Sequence, residues 1–202
     1  MSDSPDFFEG GKWMTGKKSQ RKLIIEKMQT ISRSEKLELS NCLYDRLFNA
    51  EDWKNANSIA ITLSTPMEID TQPIIEKAWA SGKTVLVPTT LSDWQMKFSP
   101  YTVQTVIQKN SHGIDEPKSG DAVDASQIDL IIVPGLGFST SDGFRLGFGG
   151  GYYDRYLARY SGKTISLALP VQTFESPEWP TYEHDIPIQS IITCANREED
   201  DK

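Results

Sequence analysis

Between Gly143 and Leu157 the chain concentrates residues able to hold an anion: Gly143-Phe144-Arg145-Leu146-Gly147-Phe148-Gly149-Gly150-Gly151-Tyr152-Tyr153-Asp154-Arg155-Tyr156-Leu157. The apolar, β-branched run Asp129 to Pro134 before it reads as a buried strand. After it, Tyr153, Tyr156, Leu157 and Tyr160 fall at helical spacing, which predicts a helix over 152–160. A strand, a glycine-rich loop and a helix start together offer bare backbone N–H groups to a negative ligand. Arg145 adds a permanent positive charge. The expectation is a phosphate cradle; the plainer alternative is a turn whose glycines only supply positive φ or close packing. It is not a Walker A loop, because Gly151 is followed by Tyr152, and its glycines do not match the dinucleotide spacing.

Other candidates stand around this loop. Asp154 opens the helix, where the dipole favours an acid; beside bound phosphates the same carboxylate can hold Mg²⁺. Tyr152 can stack on a flat ligand, Tyr153 is expected partly in the core, and Phe148 can wall an aromatic group. Lys17 and Arg21, four apart, share a helix face, with Lys18 able to replace Lys17 in that pairing. They suit a solvated basic face unless the fold carries them to the glycine loop. Glu68 follows the first strand, on the edge where open α/β sheets bind ligands, although a loop glutamate is more often a solvated charge. His112 lies in a loop with no nucleophile motif beside it.

The elements that must position these groups follow from periodicity. Ile24, Met28 and Ile31 predict a helix from Lys17 to about Ile31. Ser32 and Glu35 fit a capping box that starts a second helix to about Phe48, with Leu39, Leu43 and Leu47 on one face. Ser58 to Leu63 is a strand. A helix through Ile74, Ile75, Ala78 and Trp79 follows, with Pro73 in its first turn and Gly82 as its stop. Thr84 to Pro88 is the next strand, giving a βαβ unit and parallel pairing. Further strands are expected at 95–99, 128–133, 164–169 and 188–193, with loops at 101–126 and 173–181. The reading is a single three-layer α/β domain over 16–196. A mostly parallel twisted sheet carries helices on both faces. A disordered tail is expected over 1–15 and a charged tail over 197–202.

Twenty-one basic and 28 acidic residues in a chain of 202 give a formal charge of −7, and no basic stripe is visible. Nucleic acid is therefore not an expected partner. No apolar run reaches membrane-span length. Cys42 and Cys194 form neither a disulfide framework nor a zinc pattern and are expected as packing residues or incidental thiols. The N-terminus shows no basic-then-apolar signal, and the inferred setting is reducing and cytoplasmic.

Taken in order, these motifs resemble the 5-formyltetrahydrofolate cyclo-ligase family, also called methenyltetrahydrofolate synthetase. Pro134-Gly135-Leu136-Gly137-Phe138 and the glycine motif from Gly143 to Leu157 carry most of the likeness. Lys17 and Arg21 match the family's N-terminal Lys-x-x-x-Arg. Leu63, Ser64 and Glu68 match its strand and acidic loop. Ile114 to Pro117 and His184-Asp185-Ile186-Pro187 match two further segments, so the likeness runs from Lys17 to Thr193.

What the resemblance implies is an enzyme that uses Mg·ATP to close 5-formyltetrahydrofolate to 5,10-methenyltetrahydrofolate, releasing ADP and phosphate. Lys17 and Arg21 would hold ATP phosphates, and Arg145, Leu146, Gly147, Phe148, Gly149, Gly150, Gly151, Tyr152 and Tyr153 would line the ATP site. Arg145 would stabilise the transferred phosphoryl group, and Asp154 would hold Mg²⁺. Leu63, Glu68, Phe148, Gly149, Gly150, Gly151 and Tyr152 would contact the folate. The expected partners are ATP and 5-formyltetrahydrofolate, with no nucleic acid, no membrane and a monomeric state. Two departures stand out. Gln189 occupies the place of a second metal-side Asp in many relatives, leaving Asp185 as a helper, and Phe148 and Gly150 replace basic residues of some relatives. Two other classes fit parts of the pattern. One is a non-catalytic nucleotide- or folate-binding protein, favoured by Gln189. The other is a sugar-phosphate isomerase using Glu68 with His184.

Overall fold

The computed structural model describes residues 7–9, 12–14, 16–111 and 113–194. His112 and the charged tail at 197–202 lie outside the described residues. Within the segment expected to be disordered, β1 (Phe7–Glu9) pairs antiparallel with β2 (Lys12–Met14).

Helix α1 (Lys17–Thr30) buries Gln20, Ile24 and Met28, one residue every four along one stripe. Helix α2 (Arg33–Asn49) begins as predicted, with Ser32 Oγ accepting the Glu35 N–H at 3.2 Å. A short helix α3 (Glu51–Asn55), absent from the sequence reading, buries Trp53. Strand β3 (Ser58–Ala60), helix α4 (Gln72–Ala80) and strand β4 (Thr84–Thr90) form the βαβ unit, β3 and β4 pairing in parallel. Gly82 ends α4 at φ +72, with Gly82 N–H on Trp79 O and Lys83 N–H on Ala78 O. Those two bonds close the last turn of the helix.

Strand β5 (Met96–Pro100) runs antiparallel to β4. The loop expected over 101–126 contains a hairpin, β6 (Ile107–Lys109) with β7 (Asp115–Pro117). Strand β8 (Leu130–Ile132) is the predicted central strand. The chain does not then run as one loop to the next helix. It folds into β9 (Gly137–Ser139) and β10 (Arg145–Leu146), an antiparallel pair. Helix α5 (Tyr152–Leu157) is shorter than predicted. Strands β11 (Lys163–Ala168), β12 (Thr173–Phe174) and β13 (Ser190–Thr193) complete the chain. Strand β12 adds to β9 in parallel and makes a three-stranded side sheet.

The main sheet has six strands in the order β13-β11-β8-β3-β4-β5, all parallel except β5. Alternate residues face opposite sides. Ile59, Ile61, Leu130, Ile132, Ile165 and Leu167 meet Ile24, Leu43, Leu47, Ile74 and Ile75 of the helical layer. Ala60, Ile131 and Val133 face the other way, onto Tyr156 and Leu157 of α5 with Met96, Phe98 and Ile128. Both faces are covered, which is why the inner strands read as unbroken apolar runs. The three-layer mixed α/β expectation is borne out, with one face helical and the other largely loop around one short helix.

The topology marks a place for ligands. From β3 the chain crosses the α1/α2/α4 face to β4 on one side, and from β8 it crosses the α5 face to β11 on the other. Strands β3 and β8 are neighbours, so the loops after them diverge and open a crevice at the carboxyl edge.

One expectation is overturned. Cys42 on α2 and Cys194, just past β13, form a disulfide with Cα atoms 6.4 Å apart. Their separation of 152 residues hid the pairing, because only the completed sheet brings the end of β13 against α2. Disulfides are uncommon in reducing compartments, so the cysteines no longer argue for one. No helix among the described residues is long and apolar enough to cross a membrane.

Candidate functional site

The glycine loop meets Arg21 of α1, and Arg145 lies within the loop's own segment. Arg145 lies on β10 and is 7% exposed, since β10 is covered by its pairing with β9. Its Nη2 donates to Asp154 Oδ1 at 3.1 Å, and its guanidinium lies 5.6 Å from the centre of the Tyr153 ring. Nε and Nη1 are buried with no hydrogen-bond partner. Burial pushes the guanidinium below its ordinary pKa, with Asp154 opposing that shift. Buried donors are normally satisfied, so two orphans on one cation point to an acceptor that joins them.

Helix α1 does reach the loop. Arg21 Nε donates to Gly147 O at 2.8 Å. Gly149 has φ +115, and a Cβ there would lie 3.6 Å from the Arg21 guanidinium carbon. Lys17, one turn earlier, donates to both carboxylate oxygens of Asp185 at 2.9 and 2.8 Å and lies 4.6 Å from the centre of the Tyr182 ring. Asp185 Oδ2 also accepts the Tyr182 N–H at 2.9 Å. Next in sequence, the Ile186 N–H donates to Asp154 Oδ1 at 3.2 Å. The His184 to Pro187 segment thus ties both ion pairs to the loop.

The loop itself differs from the expectation in where its charge resides. Helix α5 has only six residues, so few aligned peptides stand behind it, and the loop's positive charges are the guanidinium groups of Arg145, Arg21 and Arg155, the last donating to Gly150 O and Gly151 O at 3.1 and 3.0 Å. Leu146 is fully buried in the main core and its carbonyl accepts the Leu136 N–H, so it supports the loop from below. Phe148 is half exposed. Tyr153 keeps a sealed, unpartnered hydroxyl, and burial pushes that phenol well above its ordinary pKa.

Glu68 lines the crevice between β3 and β8 with Thr62, Ile69, Thr71, Val133 and Pro134. Its Oε2 accepts the Thr65 N–H at 2.8 Å and the Thr65 hydroxyl at 2.7 Å. Leu63 packs, partly buried, on the main core. His184 stacks on Tyr182, with ring centres 5.5 Å apart. Glu68 and His184 are therefore engaged with different partners, which removes the basis for an isomerase pair. A larger concavity, about 270 Å³, lies elsewhere, between Thr140–Gly143 and Ile188–Ile191. No basic side chain lines either concavity; the smaller one, about 50 Å³, holds Glu68 and lies at the carboxyl ends of β3 and β8.

Gln189 does not stand beside Asp154. Its Oε1 accepts the Thr164 N–H at 3.3 Å and its Nε2 donates to Gly162 O at 3.4 Å, at the amino end of β11. Asp185 is taken by Lys17. Among the described residues no three His, Cys, Asp or Glu side chains cluster as a metal site. Asp154 offers a carboxylate bonded to Arg145, and the bonds from Arg145 and Ile186 both fall on its Oδ1. One carboxylate suits Mg²⁺ that is otherwise held by water and phosphate oxygens.

Sequence reasoning left two aromatics unassigned. Tyr182 lies under Lys17, and Trp94 packs against Tyr152 with ring centres 5.7 Å apart. Trp94 did leave a signal, a tryptophan within the polar run Ser92-Asp93-Trp94-Gln95.

Fold and geometry together define a doubly covered α/β protein with an arginine-backed glycine loop at its switch point. A profile of the 5-formyltetrahydrofolate cyclo-ligase family matches residues 13–194, and the chain belongs to that enzyme family. A 5-formyltetrahydrofolate cyclo-ligase of Mus musculus is 30% identical over 191 residues, covering 88% of this chain and 93% of its own. One of Escherichia coli (strain K12) is 31% identical over 178 residues, covering 85% and 96%. The solved structure of Aquifex aeolicus 5,10-methenyltetrahydrofolate synthetase superposes with a TM-score of 0.74 at 28% identity, over 87% of this chain and 88% of that one. A Mycoplasma pneumoniae synthetase, at 23% identity and a TM-score of 0.70, shares the fold.

Proposed function

We propose that this chain cyclises 5-formyltetrahydrofolate to 5,10-methenyltetrahydrofolate at the expense of ATP. The observation that carries the proposal is the buried Arg145 guanidinium, with two unpartnered N–H groups beside a glycine loop that Arg21 braces. A formamide carbon is a weak electrophile and its oxygen a poor leaving group. Transfer of the ATP γ-phosphoryl group to the formyl oxygen forms an O–P bond, releases ADP and leaves an N5 iminium phosphate. N10 attacks the activated carbon and loses its proton. The C–O bond then breaks, phosphate departs, and the 5,10-methenyl bridge remains.

The residues divide this work. Arg145 stabilises negative charge on the phosphoryl group in transit, which is positioning and electrostatics rather than covalent chemistry. Arg21 and the backbone from Gly147 to Gly151 hold the phosphates. Lys17 exchanges part of its contact with Asp185 for a phosphate oxygen. Glu68 accepts pterin N–H groups in the crevice, with Leu63, Phe148 and Tyr152 against the folate. Asp154 would hold Mg²⁺, and the ion would neutralise phosphate charge. Gln189, the one feature that favoured a non-catalytic relative, is occupied at the far edge of the sheet.

Absorbance of methenyltetrahydrofolate, followed with 5-formyltetrahydrofolate and Mg·ATP, tests this directly. Product should accumulate only with both substrates present. No product at high enzyme concentration would remove the proposal.

A further inference from the structure

Trp94 is held in an unusual way. Asp93 and Trp94 have φ of +57 and +58, and among the described residues no other non-glycine residue has positive φ. Two consecutive left-handed residues carry an energetic cost that side chains rarely repay without tertiary support. The turn is closed by Leu91 N–H on Gln95 O at 2.8 Å and Gln95 N–H on Ser92 O at 3.2 Å. Trp94 nevertheless remains 54% exposed, while Trp53 and Trp179 are buried. So the strain does not serve to bury the ring. It places the indole against Tyr152, tilted by 49°, and within about 4 Å of where a side chain at Gly150 would begin.

We infer that Trp94 is a specificity-determining residue of the folate site and packs on the p-aminobenzoyl ring of 5-formyltetrahydrofolate. The inference rests on the proposed function above. In that arrangement the pterin N–H edge meets Glu68 in the crevice and the formyl group meets Arg145. The benzoyl ring, attached through N10, extends from the reacting atoms toward solvent. Trp94 is exposed, packs on Tyr152 and approaches Gly150 of the glycine loop, with Phe148 half exposed nearby in sequence. A flat, conjugated ring is the group such a rim recognises, through offset or edge contacts between π systems.

Equilibrium dialysis of the full chain, without turnover, tests the inference on three ligands: 5-formyltetrahydrofolate, 5-formyl-6-methyltetrahydropterin and ATP. Trp94→Ala should weaken binding of the whole folate by about five- to tenfold, and Trp94→Phe should restore most of it. Binding of ATP and of the truncated pterin should be unchanged, with thermal unfolding confirming that the exposed site tolerates alanine. Unchanged folate affinity in Trp94→Ala overturns the inference. So does a loss that is equal for the truncated pterin, or that falls on ATP instead. Wild-type protein that binds no 5-formyltetrahydrofolate overturns the functional proposal itself, and this inference with it.

Discussion

The two ends of the central sheet are built on opposite principles. At the amino edge, every named polar group is closed on another. Asp129 Oδ2 accepts the N–H groups of Asn57 and Ser58 at 2.8 and 3.0 Å, and the Asp129 N–H donates to Ser58 Oγ. Gln189 and Thr164 exchange bonds between the starts of β13 and β11, and Lys83 Nζ caps the carbonyls of Lys54 and Ala56. At the carboxyl edge, bonds are left unmade. Three of the six buried, unpartnered side-chain atoms among the described residues belong to Arg145 and Tyr153. Strained backbone at Asp93 and Trp94 also lies on that side, against Tyr152. The contrast teaches that the sheet is fastened by closed hydrogen bonds at one end, while the other end keeps buried donors of Arg145 and Tyr153 without partners.

The strongest way to break the contrast is to remove the open cation. Arg145→Ala should lower turnover by about a hundredfold or more with far-ultraviolet dichroism unchanged, the scale expected for a preorganised charge on a transition state. Near-normal turnover would take Arg145 out of the mechanism. Gly143→Ala attacks the support beneath it. Gly143 has φ +77, and a Cβ there would overlap the Ile188 carbonyl, so a loss of about 2–4 kcal/mol is expected in thermal unfolding. An unchanged melting temperature would show that the β9–β10 turn is more plastic than its geometry indicates.

Asp154→Asn should raise the magnesium concentration for half-maximal activity by roughly tenfold, the factor for about 1.4 kcal/mol. An unchanged magnesium titration would leave Asp154 as a partner of Arg145 alone. The smallest effect belongs to the closed edge. Asp129→Asn should cost under about 1 kcal/mol of stability at neutral pH and leave turnover untouched. The bonds from Asn57 and Ser58 hold the Asp129 carboxyl below its ordinary pKa. Its stabilisation is therefore complete above the unfolded value, about pH 4, and disappears as pH falls through the lower folded value. The gap between wild type and Asp129→Asn should close in that acid range, and a gap that widens there would contradict the assignment.

Much of this was legible in the chain. Helices α1, α2 and α4 and the βαβ unit follow from spacing and caps that act locally, such as Ser32 with Glu35 and Gly82 after Ala80. The meeting of Arg21 with the glycine loop was readable only as a conditional, since it depends on α1 docking beside a loop more than a hundred residues away. Strands β9 and β10 were missed because two or three residues show no alternation, and they exist through pairing with β12. The partners of Gln189, Thr164 and Gly162, were not legible, because its place in the sequence, shortly after Asp185, says nothing about which edge of the sheet its side chain serves. Trp94 gave a compositional hint without a location.

The disulfide turns the chain into a covalent ring with a free limb. The ring runs from Cys42 to Cys194 and contains the whole central sheet, Glu68, Trp94 and the glycine loop. Lys17 and Arg21 are outside it, on α1. In the chain-entropy account, closing a loop of that length removes about 5 kcal/mol of freedom from the unfolded state, so the oxidised ring resists opening as a unit. Glu68, Trp94 and Arg145 are then secured topologically, whereas Lys17 and Arg21 ride on a segment outside the ring, held to it by packing and by their bonds to Asp185 and Gly147.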